Sequence, residues 1–126
     1  MLDDWRWLVP RDLTPLSLTM LGDWIFGAPD GSLWVLDMLE GDLRQVASSA
    51  AEYNRLNKSR EWREETLLVD WYEMALEDGL VGGPDDCIGW ARHPILGGPF
   101  ERANLRRFSM RIYQSLMGQL YRQLRG

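Results

Sequence analysis

Cys87 and His93 are the only cysteine and the only histidine of the chain, six positions apart in "CIGWARHPILGGPF", residues 87–100. A thiol nucleophile beside an imidazole base is one chemistry these types can perform. The Gly-Gly-Pro turn that follows could in addition cradle an anion on its backbone amides. The spacing argues against both. If "CIGWAR" is a buried strand, alternation puts Cys87 and Gly89 on one face and Ile88 and Trp90 on the other, in surroundings that disfavour a thiolate. Six extended residues carry His93 about 20 Å further on. Cys87 is therefore expected to be a buried structural thiol. "LGGPF" lacks the lysine and Ser/Thr of a P-loop and the three-glycine spacing of a dinucleotide turn, so a sharp bend is expected there. With one His and one Cys, a metal site would have to be built from carboxylates, and no segment has the EF-hand spacing. Glu61 with Glu65, and Glu73 with Glu77, share helix faces, but no second catalytic element points at them. The expectation is no enzyme, no cofactor and no metal.

The elements that position these residues are legible in outline. Residues 1–21 read as an irregular arm, with Pro10 and Pro15 interrupting the apolar positions. Residues 22–47 read as a three-stranded antiparallel meander. Its first turn is Pro29-Asp30-Gly31 and its second lies near Glu40-Gly41-Asp42. Trp24 and Phe26 oppose Ile25, while Leu33 and Val35 oppose Trp34 and Leu36, so both faces need cover. Residues 48–79 read as two helices. Ser48 or Ser49 caps the first and Ser59 the second, longer one, whose stripe is Leu67, Leu68, Trp71, Tyr72 and Ala75, with Gly79 past its end. Residues 85–108 read as one or two strands and a loop. Residues 109–125 form a helix capped by Ser109, with Tyr113, Leu116, Met117, Leu120, Tyr121 and Leu124 at helical spacing. Gly118 inside it implies a close backbone contact. The fold class is α+β: a small antiparallel sheet, the meander plus one or two further strands, packed with three helices, the last C-terminal, in a single domain over 1–126.

Composition narrows the functional classes. Apolar residues make up 45% and charged residues 26%, as in ordinary globular domains. The longest apolar run is four residues, 33–36, and the start Met-Leu-Asp-Asp is acidic where a secretory signal needs positive charge. No membrane association and a cytoplasmic location are expected. Net charge is −5, unevenly spread: residues 1–100 hold 8 basic and 18 acidic side chains, residues 101–126 hold 6 and 1. An acidic body repels nucleic acid and steers basic proteins toward itself. The arginines at 102, 106, 107, 111, 122 and 125 offset that acidity and the last helix's dipole. Among seven tryptophans, 24, 34 and 71 lie in core patterns. Trp5, Trp7 and Trp62 lie in arms or beside charge, where they either tuck back or anchor an interface.

"PRDLTPLSLTMLGDW", "PDGSLWVLD", "LEGDLRQVASSAAEY", "DDCIGWARHPILGGPF" and "SLMGQLYRQL" together resemble, over roughly residues 8–125, the type VI secretion system (T6SS) immunity domain that often follows a GAD-like domain. That family is named for an antitoxin against a DNase effector. The match runs through turn and packing positions such as Gly22, Gly41, Cys87, Gly97, Gly98, Asn104 and Gly118. Trp90, Ser109, Tyr113 and Tyr121 depart from the family's usual aromatic, histidine and aspartate positions, and the resemblance includes no GAD-like half. The resemblance implies a small mixed α/β domain that neutralises a cognate effector toxin, in the family's sense a nuclease, by binding and occluding its active or substrate site. The expected arrangement is one monomer in a heterodimer with a basic toxin. The contacts expected on this reading are Asp37, Glu40, Asp42, Glu61, Glu64, Glu65, Asp85 and Asp86, with Trp62 and the loop His93–Phe100. The alternative is an adaptor or protein-binding module with no toxin partner.

Overall fold

The structure is a computed structural model and describes residues 2–125. It is α+β, as the pattern predicts. β1 (Thr14–Leu18), β2 (Trp24–Gly27), β3 (Leu33–Asp37) and β4 (Asp42–Ala47) form one antiparallel sheet in that order. β5 (Asp86–Trp90) and β6 (Leu105–Ser109) pair antiparallel as a second. α1 (Ala50–Leu56), α2 (Arg60–Leu67) and α3 (Val69–Glu77) lie between the sheets in sequence, and α4 (Met110–Leu124) closes the chain.

Two elements differ from the sequence reading. The arm read as irregular contains β1, which extends the meander to four strands. Pro15 is tolerated there because an edge strand has one side free of partners, and the register slips between Pro15 and Ser17. The long middle helix is two helices. Leu68 sits between them in the left-handed region at φ 54°, ψ 43°, an unfavourable conformation for a branched side chain. Glu64 offsets part of that cost, because its Oε2 accepts the Asp70 N–H at 2.7 Å and so caps α3. The break re-aims α3, placing Trp71 and Ala75 against Ile88, Trp90 and Leu105 of the second sheet.

Helix starts follow the local chemistry. The Ser49, Ser59 and Ser109 hydroxyls accept from the backbone N–H groups of Glu52, Trp62 and Ile112. Glu52 reaches back to the Ser48 N–H at 3.1 Å, completing a reciprocal cap one residue out of step with the usual box.

The main core lies between the first sheet, the arm and α4. Phe26, Leu36 and Met38 meet Leu2, Trp5, Val9 and Leu13 of the arm region and Met110, Tyr113, Met117 and Tyr121 of α4. Trp5 is fully buried and stacks on Trp7 at 5.9 Å, so the arm's tryptophans tuck back onto the domain. Gln114 is a polar hub inside this core. Its Nε2 donates to Gly22 O (2.6 Å), its Oε1 accepts from Trp24 Nε1 (3.0 Å), and its carbonyl accepts from Trp5 Nε1 (3.0 Å). One residue therefore ties α4 to the arm, β2 and the β1–β2 turn. A Cβ on Gly118 would fall 2.6 Å from the Asp4 carbonyl oxygen, the close backbone contact that a mid-helix glycine implies.

Candidate protein-interaction surface

Cys87 lies in β5, fully buried, and burial with the nearby Asp86 and Asp23 carboxylates pushes its thiol up to about 12. Such a thiol carries essentially no thiolate at neutral pH. His93 is also buried. Its Nε2 lies 2.9 Å from the Met38 carbonyl and its Nδ1 accepts the Ile95 N–H at 3.1 Å. That pattern assigns the neutral ring with the proton on Nε2. Burial pulls its pKa down, against weaker opposing effects from the Met38 bond, Asp37 and Glu40. Among the described residues no hydrogen bond joins the two side chains. His93 instead meets Tyr121 edge-on at 5.7 Å.

The glycine turn is equally occupied. Leu96 N and Gly98 N donate to His93 O, and Gly97 N donates to Pro94 O, so these amides face inward rather than toward an anion. Gly97 takes φ 86°, and a side chain on Gly98 would collide with the Arg92 backbone. Asn104 fastens the loop's ends, donating to Arg92 O (2.7 Å) and Pro99 O (2.9 Å) and accepting from Arg92 N (3.1 Å). Among the described residues no three His, Cys, Asp or Glu side chains converge as metal ligands would.

The expected contact residues fall into three groups. Asp37 is a correction: it is buried, accepts from the Leu39 and Glu40 backbone N–H groups, and pairs with Arg44 at 2.9 Å, so it builds the β3–β4 turn rather than facing outward. His93 is a second correction, consumed in joining the loop to that same turn. Glu40 is exposed and Asp42 half-buried, the latter sharing Arg44 at 3.0 Å. On α2, Glu61 and Glu65 are exposed, Glu64 is spent on capping α3, and Trp62 is half-buried, edge-on to Tyr53 at 5.5 Å. Asp85 is exposed, while Asp86 accepts the Gly83 N–H at 3.2 Å. No hydrogen bond or ion pair joins the three groups among the described residues.

In the expected contact loop His93–Phe100, it is the apolar side chains rather than His93 that face outward. Ile95, Leu96 and Phe100 are each about half exposed, on the loop that His93 fixes to Met38. Phe100 stacks on Trp90 (5.1 Å) and meets Trp71 edge-on (4.7 Å), so its ring is held rigid while half of it faces solvent. The signal was present in "PILGGPF": apolar residues in a segment that can be neither helix nor strand have no element to bury them. A rigid aromatic and two aliphatic side chains exposed together have the composition of an interface centre.

Burial also raises the Asp23 carboxyl, to about 8, with Asp37 adding to the rise; its Oδ1 accepts the Met38 N–H at 2.8 Å. It is a buried acid with a structural partner, and it lies under the β3–β4 turn rather than in an open cleft.

Residues 47–121 match the family model described as T6SS immunity protein Tdi1, C-terminal. No curated protein matches the chain. The matched span runs from the end of β4 into the last turns of α4 and includes the His93–Phe100 loop, α2 and Asp85–Asp86, while Glu40 and Asp42 lie before it.

Proposed function

This chain belongs to the family of the C-terminal domain of the T6SS immunity protein Tdi1, and from that premise we propose that it binds one cognate effector toxin and blocks that toxin's active or substrate-binding site. The observation that carries the reading is the family match. The geometry supports it, because the candidate nucleophile and base are each locked in packing and the outward-facing features are carboxylates and a rigid apolar ridge. Such a surface acts by contact. An acidic inhibitor fits a basic cleft of the kind a nuclease uses to hold phosphates, so a basic nuclease effector is the class proposed. The complex is a heterodimer with one copy of this chain, formed in the cytoplasm, without nucleic acid or membrane as a direct ligand. No described helix is long and apolar enough to cross a membrane.

Glu40, Asp42, Glu61, Glu65 and Asp85 would steer the encounter, and Ile95, Leu96 and Phe100 would hold the complex once formed. The test is co-purification with the product of the neighbouring toxin gene, then charge reversal of Glu40, Glu61, Glu65 and Asp85 together. The expected outcome is a slower association, on the order of tenfold at low salt, with dissociation little changed. Full binding and protection after the reversal would contradict the acidic-face reading.

A further inference from the structure

One end of the first sheet is left uncovered. The arm and α4 close its inner face over Phe26, Leu36 and Met38. Toward the β2–β3 turn a cavity of about 370 Å³ opens instead, floored by Trp34 and Leu43 and walled by Leu13 and Pro29. This is at the small end of ligand pockets and suits one long side chain better than a larger molecule.

Its polar groups select the occupant. Asp12 and Asp30 both line it, and no lysine or arginine of the described chain does. Asp30 Oδ1 accepts from the Ser32 N–H (2.9 Å) and hydroxyl (2.5 Å), bonds that hold its carboxyl below the usual range and keep it ionised. Its Oδ2 enters none of the chain's hydrogen bonds among the described residues, which leaves it for an outside donor. The Trp34 indole N–H is already committed to Ser32 Oγ at 2.9 Å, so what Trp34 offers a ligand is its ring. Asp12 and Asp30 are exposed, and two hydrated carboxylates beside an aromatic and aliphatic floor repel anions and attract a cation with an apolar stem. An arginine satisfies both halves: its stem lies on apolar carbon, its flat guanidinium stacks on an indole, and its fork pairs with carboxylates.

We propose that this cavity is a socket for an arginine side chain presented by a partner protein. That the partner is the effector rests on the function proposed above; the chemistry of the socket does not.

The test is an NMR titration of the full chain with Nα-acetyl-arginine methylamide and with its neutral counterpart, Nα-acetyl-citrulline methylamide. Saturable shifts are expected at the Trp34 indole N–H and the Asp30–Ser32 amides. They should be weaker by about fivefold or more with the citrulline probe and with the Asp12→Asn/Asp30→Asn double variant, since one charge-assisted bond is worth that much. The carboxamide introduced at position 30 keeps an acceptor for Ser32, so the turn is retained, and an unchanged melting temperature checks it. Absence of saturable shifts, or equal shifts from both probes, overturns the socket. If the arginine probe binds but no effector does, the socket stands and the functional reading falls.

Discussion

Cys87 and His93 show how one residue type serves opposite ends according to its surroundings. Enclosure that raises the thiol to about 12 makes a poor nucleophile, so Cys87 should resist iodoacetamide at pH 8 in the folded protein and react fully in denaturant. Alkylation of the native protein at the unfolded rate would contradict the enclosure. Asp23 gives a pH dependence of definite sign. Its carboxyl is raised in the fold, so between its unfolded value near 4 and about 8 the folded state holds a proton that the unfolded chain has lost. Its contribution to stability is thus present at low pH and is lost as pH rises through that window. The buried, neutral His93 works the other way: its contribution is complete above about 6.5 and is lost as pH falls below. Asp23→Asn keeps an acceptor for the Met38 N–H, and should be more stable than the parent at pH 8 and lack the parent's decline in urea midpoint from about pH 5 to 8. An unchanged decline would place it in another group. At this scale the three serine caps were legible because capping is local. Asp37 and His93 were not, because the sequence shows their charge and polarity but not the Arg44 guanidinium or the Met38 carbonyl that folding brings to them.

Elements were legible where a period or a turn residue marks them. The four-residue spacing of α4 and the Pro29-Asp30-Gly31 turn are signals contained within one segment. β1 was hidden by Pro15, whose usual meaning is the end of a strand and whose tolerance depends on lying at the sheet edge, a fact of topology. The break at Leu68 was hidden because Leu67, Leu68, Trp71, Tyr72 and Ala75 fit one continuous helix, and only the position of the second sheet makes the bend favourable. Gln114 sits on the buried side of α4 and reads as an ordinary helix former, yet it joins three elements through three hydrogen bonds. Gln114→Leu should therefore cost about 2–4 kcal/mol in urea unfolding, because Gly22 O and the Trp24 indole N–H lose their partner in a closed core. A loss below about 0.5 kcal/mol would mean that the Gln114 amide is not what ties α4 to β2 and the β1–β2 turn.

For the whole molecule, the charge asymmetry was readable from composition, whereas the apolar ridge and the open end of the sheet became visible only when the covered and uncovered faces were known. Both features belong to the surface on which the proposed complex would form, and the same loop that looked like a reactive centre is a brace between the β3–β4 turn and the second sheet. Salt should accordingly slow association with the effector while leaving the complex's dissociation rate nearly constant. The most direct test is the stoichiometry of protection, in which purified effector activity is titrated with this protein and with the Cys87→Ala/His93→Gln double variant. A binding inhibitor abolishes activity at one equivalent, and the double variant, once shown to be folded, does the same. Abolition by a small fraction of an equivalent, lost in the variant, would show that the protein acts catalytically on its partner and would contradict the account.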